Sequence, residues 1–372
     1  MPVQLNLFSP DDIHVQNVET EGVKYAGSKL KLIPHILSLV AECGDVRSVL
    51  DGFSGTTRVS QAFAKSGYDT TANDIAVWSE TFARCYLEQG KNDAFYQSIL
   101  DELNRLHGIH GWFTDTYGKD GVKSPFQMKN LMRLDAIRSA IDGMNLTLVD
   151  KCVLLTSLVL ALDRVDSTLG HFASYLAKWS PRSFGDLWLR IPKRFAIVSR
   201  NTVFRSDVFD ALAGRHYDLA YFDPPYGSNN EKMPPSRVRY AAYYHFWKTV
   251  ILNDQPTVFG RVRRREDSRD TTNPSVFEEY RKDNSGRFVA MNAIRRLLQC
   301  TDAKYILLSY SSGGRATREE LMEAISETGI LLKAVSIDYK RNVMANMHWT
   351  NEWTRETDST QEYLFLLRKR GI

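Results

Sequence analysis

His216-Tyr217-Asp218-Leu219-Ala220-Tyr221-Phe222-Asp223-Pro224-Pro225-Tyr226 is the stretch that decides the fold of this 372-residue chain. Its apolar run, ending at Phe222, reads as a buried strand, so Asp223 falls where a parallel strand stops and a loop begins. In open α/β sheets ligands bind along that carboxyl edge. Two successive prolines hold the backbone extended and remove two amide donors, which leaves local carbonyls to point outward as acceptors. A carboxylate, a stiff carbonyl and an aromatic face are thus presented together. Those are the partners that an exocyclic amine on a flipped-out planar base requires. An Asp-Pro turn that only caps a strand is the plainer alternative, and the segments upstream weigh against it.

Val46 to Leu50 reads as a short buried strand, followed at once by Asp51-Gly52-Phe53-Ser54-Gly55-Thr56-Thr57. The residues after it, RVSQAFAKSGY, have helical spacing and stop at Gly67. Strand, glycine-containing turn and helix let a ligand approach backbone amides at a helix N-terminus. A second strand, YDTTAND, ends in Asp74 about twenty residues after the turn, where an acid suits the hydroxyls of a ribose. Further upstream, Lys24-Tyr25-Ala26-Gly27-Ser28-Lys29 leads into the apolar helix LKLIPHILSLV.

KYAGSK, the DGFSGTT turn, NDI and DPPY, in this order, resemble the Dam-like (α-class) DNA adenine methyltransferases. The resemblance implies that Tyr25, Gly27, Lys29, Asp51, Phe53, Ser54, Gly55, Thr56, Asp74 and Ile75 hold S-adenosyl-L-methionine. In TVFRSDVFDAL, Asp207 and Val208 match the further position near the cofactor's adenine. Asp223, Pro224, Pro225 and Tyr226 would hold the target base. The turn departs from the family by carrying Thr57 where the fuller pattern has another glycine. The resemblance covers roughly residues 20–90 and 200–370, and residues 91–199 match no such pattern.

The expected fold is therefore α/β: a Rossmann-like methyltransferase sheet with a C-terminal antiparallel hairpin, plus a mostly helical insertion. Residues 1–19 read as a tail, 20–90 and 200–372 as the catalytic domain, and 91–199 as the insertion and target-recognition region. Near the end, 304–310 reads as a strand and 318–329 as a helix. Segments 330–339 and 362–369 read as two strands with a polar excursion between them, the pair that closes methyltransferase sheets. Nicotinamide-binding folds continue instead with parallel units.

The amine of adenine is a poor nucleophile because its lone pair is delocalised into the ring. Hydrogen bonds from it to the Asp223 carboxylate and the Pro224 carbonyl would favour a pyramidal nitrogen, ready for in-line attack on a sulfonium methyl. Tyr226 would stack on the base. Asp at this position suits adenine; within the resemblance, enzymes acting on the cytosine amine usually carry Ser. No metal is expected, since the sulfonium is already activated.

DNA contacts are expected in two stretches. One follows the catalytic strand, with Arg237, Arg239, Arg261, Arg263, Arg264 and Arg265 interleaved with Tyr240, Tyr243, Tyr244 and Trp247. The other, at 163–185, carries His171, Lys178 and Arg182. A solvated loop and an ordinary helix are the bland alternatives.

Net charge is only +4, so affinity for nucleic acid has to come from such local patches. The four cysteines, Cys43, Cys85, Cys152 and Cys300, form no metal-ligand pattern and read as reduced thiols of a cytoplasmic protein, and the resemblance implies a bacterial or phage-encoded one. The start lacks a signal-peptide pattern, and the apolar segment 153–162 is too short to span a bilayer. Gln4-Leu5-Asn6-Leu7-Phe8 resembles the pentapeptide by which bacterial proteins dock on the sliding clamp. The function expected is site-specific adenine methylation of double-stranded DNA after base flipping, in a restriction–modification or phage setting with a possible cognate endonuclease. Methylation of RNA adenine or of the DNA cytosine amine is the alternative, as is a non-catalytic DNA-binding protein of the same fold.

Overall fold

The computed structural model describes residues 18–118, 124–227, 240–269, 275–339 and 360–371. The clamp-like pentapeptide and Arg237 and Arg239 lie outside them.

The first helix or strand of the described residues is α1 (Ile33–Glu42), started by a proline in its first turn, where a missing N–H goes unused. Strand β1 (Ser48–Asp51), α2 (Arg58–Lys65), β2 (Asp69–Asn73) and α3 (Val77–Leu87) follow in βαβα order. Four helices come next: α4 (Asp93–Arg105), α5 (Trp112–Tyr117), α6 (Met128–Gly143) and α7 (Leu148–Val165). Residues 166–201 then run without helix or strand except a 3₁₀ turn at Pro181–Phe184. The sheet resumes with β3 (Thr202–Phe204), α8 (Val208–Leu212) and β4 (Tyr217–Phe222). After α9 (Tyr240–Tyr243) and α10 (His245–Leu252), β5 (Val258–Phe259) and β6 (Arg264–Arg265) form a separate small hairpin. Helix α11 (Val289–Cys300), β7 (Ala303–Ser311), α12 (Arg318–Thr328), β8 (Gly329–Tyr339) and β9 (Thr360–Lys369) complete the chain.

Among the described residues, seven strands form one sheet in the order β3-β2-β1-β4-β7-β9-β8. Pairs β3-β2, β2-β1, β1-β4 and β4-β7 are parallel; β9 runs antiparallel between β7 and β8. The expected terminal hairpin is therefore present. The order reverses between β1 and β4, whose ends Asp51 and Phe222 open side by side, and this switch point is where such sheets hold ligands.

Side-chain alternation assigns the two faces. Leu50, Ala220, Phe222, Ile306 and Leu308 pack with α8, α11 and α12. Val49, Leu219, Tyr221 and Leu307 pack with α1 and α2. A third core covers the β2–β3 end and joins Ala72 and Val203 to α3, α4, α6, α7 and α10. The apolar segment 153–162 forms the middle of α7 there, buried along its length. No helix among the described residues is long and apolar enough to cross a membrane.

Candidate active site

The turn after β1 is shaped by close approach. A side chain at Gly52 would press on the Phe222 ring, and Gly55 adopts a left-handed φ of +52°. Thr57, the position where the family pattern has glycine, also adopts φ +63° immediately before α2. The left-handed backbone is thus kept with a β-branched residue, whose hydroxyl accepts from Gln61 at 3.1 Å. Ser54 pairs with the Ser79 hydroxyl at 2.9 Å, and Thr56 is buried. Phe53 packs edge-on to Phe277, ring centres 5.1 Å apart.

Asp51 is fully buried. One carboxylate oxygen accepts from Ser60 at 2.6 Å; the other, near the Phe53 amide, completes no hydrogen bond among the described residues. Burial pushes its carboxyl up to about 7, Ser60 opposing and Asp223 adding. Asp74 directly follows β2 and accepts from the amides of Gly55 and Ala76, both at 2.9 Å, so it braces the turn. Next to it Ile75 is 75% exposed, an apolar side chain in solvent at the sheet edge. Asp207 is exposed and caps α8 through the Phe209 amide, beside the buried Val208.

At the end of β4 two residues make contacts that the sequence expectation did not include. Lys29, grouped by the resemblance with the cofactor residues, reaches Asp223: its ammonium lies 3.2 Å from Asp223 Oδ1 and 3.4 Å from Glu362 Oε2. The Tyr226 ring, expected to present a stacking face, turns inward. Its hydroxyl donates to Asp223 Oδ1, lies 3.3 Å from Glu362 Oε2, and its ring centre sits 4.7 Å from that of Tyr310. Burial pushes Asp223 up to about 6, with Lys29 and the Tyr226 hydroxyl opposing and Glu362 adding. Burial also works against the Lys29 charge, and the two acids more than offset it, raising its pKa. Pro224 is buried and Pro225 half-buried. Gly227 leaves the loop at φ +61°, a position where a Cβ would collide with the Arg315 side chain. The Arg315 amide donates to the Tyr226 carbonyl at 3.0 Å, which fixes the loop's exit.

Glu362, Arg315 and Ser309, whose hydroxyl lies 3.4 Å from that of Tyr226, were not among the sequence candidates. Glu362 carried one legible signal: it is an acid directly before the apolar run YLFLL of a strand that returns in antiparallel sense, which puts it at the edge where β4 ends.

The KYAGSK segment is clamped by aromatics. Tyr25 stacks on Tyr244 (4.5 Å) and Tyr240 (5.3 Å), and Tyr244 stacks in turn on Trp247. The Tyr244 hydroxyl accepts from the Ala26 amide at 2.6 Å. Gly27, at φ +76°, passes under the Tyr240 hydroxyl. Tyr244 and Trp247 are thus buried wall, and the expectation that they stack on nucleic acid is corrected.

The candidate DNA contacts separate by burial. Arg265 is 3% exposed and its guanidinium is bonded by Asp254 and Asp267, so it belongs to the hairpin's interior. His171 is buried and stacked on Tyr243 at 4.4 Å, its charged form disfavoured by burial. Neither faces solvent as a DNA contact requires. Arg264 donates to the Ser268 carbonyl and lies over Phe259; Arg263 is half-buried and Arg261 exposed. Lys178 is exposed, and Arg182 holds Asp166 at 2.8 Å. Asp166 also takes the Lys24 ammonium at 2.8 Å, which ties the 163–185 segment to KYAGSK. Among the described residues no cluster of three or more His, Cys, Asp or Glu could hold a metal ion.

Among the described residues, a seven-stranded sheet with an antiparallel final strand, with a buried Asp51 at one lip of its switch point and a half-buried Asp223 at the other, defines a methyltransferase architecture. Residues 25–321 match the D12 class N6 adenine-specific DNA methyltransferases, and the chain belongs to that family. It is 26% identical over 348 residues to modification methylase StsI of Streptococcus sanguinis, covering 89% of this chain and 50% of that protein. Against type II methyltransferase M.FokI of Planomicrobium okeanokoites it is 23% identical over 365 residues, 93% of this chain and 53% of the other. The chain thus spans about half the length of these two relatives. M.NlaIII of Neisseria lactamica is 25% identical over 358 residues, 93% of this chain and 99% of its own length.

Proposed function

We propose that this chain transfers a methyl group from S-adenosyl-L-methionine to the exocyclic amine of adenine in double-stranded DNA. It would act at a specific sequence after flipping the base, as the modification half of a restriction–modification system or in phage DNA modification. The observation that carries the proposal is Asp223, a carboxylate held at the end of β4 beside the glycine turn of β1. Amine acceptor and donor cradle are neighbours at one switch point.

The residues present fit the cofactor. The buried Asp51 oxygen that has no hydrogen-bond partner among the described residues suits an ammonium group, and such an acid is costly unless something cationic reaches it. Asp74, directly after β2, would take the ribose hydroxyls, and exposed Ile75 would offer an apolar surface to a purine ring. S-adenosyl-L-methionine, when bound, supplies an electrophilic methyl group. Asp223 and the Pro224 carbonyl orient the adenine amine, each acceptor contributing about 1–3 kcal/mol in a site closed to water. Because the Tyr226 hydroxyl already donates to Asp223, base entry exchanges one donor for another, and the released ring can stack on the purine. That stacking, worth about 1–3 kcal/mol, helps offset the few kcal/mol of extrusion. Target recognition falls to residues 91–199, whose 163–185 stretch is tied beside KYAGSK by Lys24 and exposes Lys178 and Trp179.

Tritium transfer from labelled S-adenosyl-L-methionine to unmethylated DNA tests the proposal. Asp223→Ala is expected to abolish transfer while cofactor binding survives; a variant that still methylates DNA would refute the assignment. With Asp223 raised to about 6 by burial, wild-type activity is expected to fall as pH drops through about 6. An acid limb in the ordinary carboxylate range, near about 4, would point to another group.

A further inference from the structure

Two carboxylates and one ammonium meet at the end of β4. Glu362 lies opposite Ser311 on β7, and because β9 runs antiparallel, the beginning of β9 arrives at the same edge where β4 ends. Glu362 is only 8% exposed and Lys29 6%. Burying an acid is costly without a partner, so the position calls for an explanation. A simple staple between β9 and the N-terminal segment needs only Lys29 and Glu362. Here the Lys29 ammonium stands 3.2 Å from Asp223 and 3.4 Å from Glu362, between the two and tight on neither. Charge-assisted pairs that are fully engaged close to about 2.7–2.9 Å. The Tyr226 hydroxyl also lies between the same acids.

We infer that Glu362 is a positioning residue of the methyl-transfer site, holding Lys29 away from full pairing with Asp223 so that the Asp223 carboxylate stays available to the substrate amine. The inference rests on the role of Asp223 proposed above. With both acids ionised, Lys29, Asp223 and Glu362 together carry one net negative charge, which suits a site that receives a sulfonium donor. Without Glu362, Lys29 would neutralise Asp223 one to one and compete with the amine for its oxygens. The other groups that bear on Asp223 are the Tyr226 hydroxyl in its own loop, Asp51 on β1, Tyr221 on β4 and Tyr240 on α9.

The experiment is a double-mutant cycle of Glu362→Gln and Lys29→Met, read by single-turnover tritium transfer at saturating cofactor and DNA. In the wild-type background Glu362→Gln is expected to slow transfer about tenfold, the coupling typical of contacting charged residues, with cofactor affinity within about twofold of wild type. Its acid limb is expected to move to lower pH, since a like charge beside Asp223 has been removed. In the Lys29→Met background the same change is expected to alter the rate less than about twofold. Equal effects in both backgrounds, or an unmoved acid limb, would overturn the inference, because a purely structural Glu362 would give that result. Circular dichroism and melting confirm folding of each variant; should Glu362→Gln fold poorly, Glu362→Asp is expected to retain most of the rate and the wild-type acid limb. If wild type and Asp223→Ala transfer tritium equally, or neither does, the reading of Asp223 fails. If only the cycle is additive, the inference about Glu362 fails alone.

Discussion

Asp51 shows how a binding site costs stability at the level of one residue. Its carboxyl is buried with one oxygen lacking a partner among the described residues, and it is pushed up to about 7 from an ordinary value of 3.8. A carboxyl raised by folding gives stability that is full below its ordinary value and is lost as pH rises through the folded one. Asp51→Asn, which keeps an acceptor for Ser60, is therefore expected to raise the melting temperature of the cofactor-free protein at pH above about 7, by roughly 1–3 kcal/mol of stability. The gain should shrink progressively between about pH 7 and about pH 4, and cofactor affinity should fall. A variant less stable than wild type at alkaline pH would show that a partner already satisfies the acid. Gly227 offers a second residue-scale test. Ala there combines φ +61° with a collision against Arg315, and is expected to cost about 1–3 kcal/mol while misplacing Tyr226. Wild-type transfer by Gly227→Ala would mean that the loop exit does not govern the site.

At the scale of elements, the β5–β6 hairpin illustrates why charge in a sequence does not say which way it points. Its arginines look alike in sequence, yet β-alternation and an acid on either side draw Arg265 inward to Asp254 and Asp267 while Arg261 stays in solvent. The hairpin is anchored from below by Tyr117 and Tyr175, whose hydroxyls donate to the carbonyls of Arg263 and Val262. Arg265→Ala is expected to destabilise the fold by about 3–5 kcal/mol, because it leaves acids without their cation, and to leave the salt slope of DNA binding unchanged. Arg261→Ala is expected to lower that slope by about 1 with little change in melting temperature. Titrating DNA binding against salt distinguishes them, and the reverse pattern would place the hairpin differently from the structure.

For the whole molecule, the decisive fact is that the described part of residues 91–199 shares its apolar core with the sheet. Helix α7 packs on α3, and its Leu154, Leu158 and Val159 share one apolar cluster with Ala72 on β2 and Trp247 on α10. The helical segment is thus a third layer on the β2–β3 end of the sheet. Leu158→Ala is expected to cost about 2–5 kcal/mol and to lower a single unfolding transition common to sheet and helices. Two separate transitions, only one of them shifted, would show that the segment is an autonomous unit.

The amino-acid sequence by itself determined the parts of this protein that are short in range. Asp223-Pro224-Pro225-Tyr226, the glycine turn at 51–57 and Asp74 each depend on neighbours a few positions away, so strand, turn and acid could be placed, and the terminal hairpin followed from two apolar runs. Even the awkward Thr57 kept the left-handed backbone that its position demands. Only the tertiary structure decided what meets across the sheet. Lys29 and Glu362 are 333 positions apart and converge on Asp223 because β9 returns antiparallel beside β7. Tyr244 and Trp247 became wall, and Arg265 and His171 became interior, because burial depends on which surfaces fold over one another. Local geometry is written in adjacent residues, whereas electrostatic partners are set by distances in space that no spacing along the chain encodes.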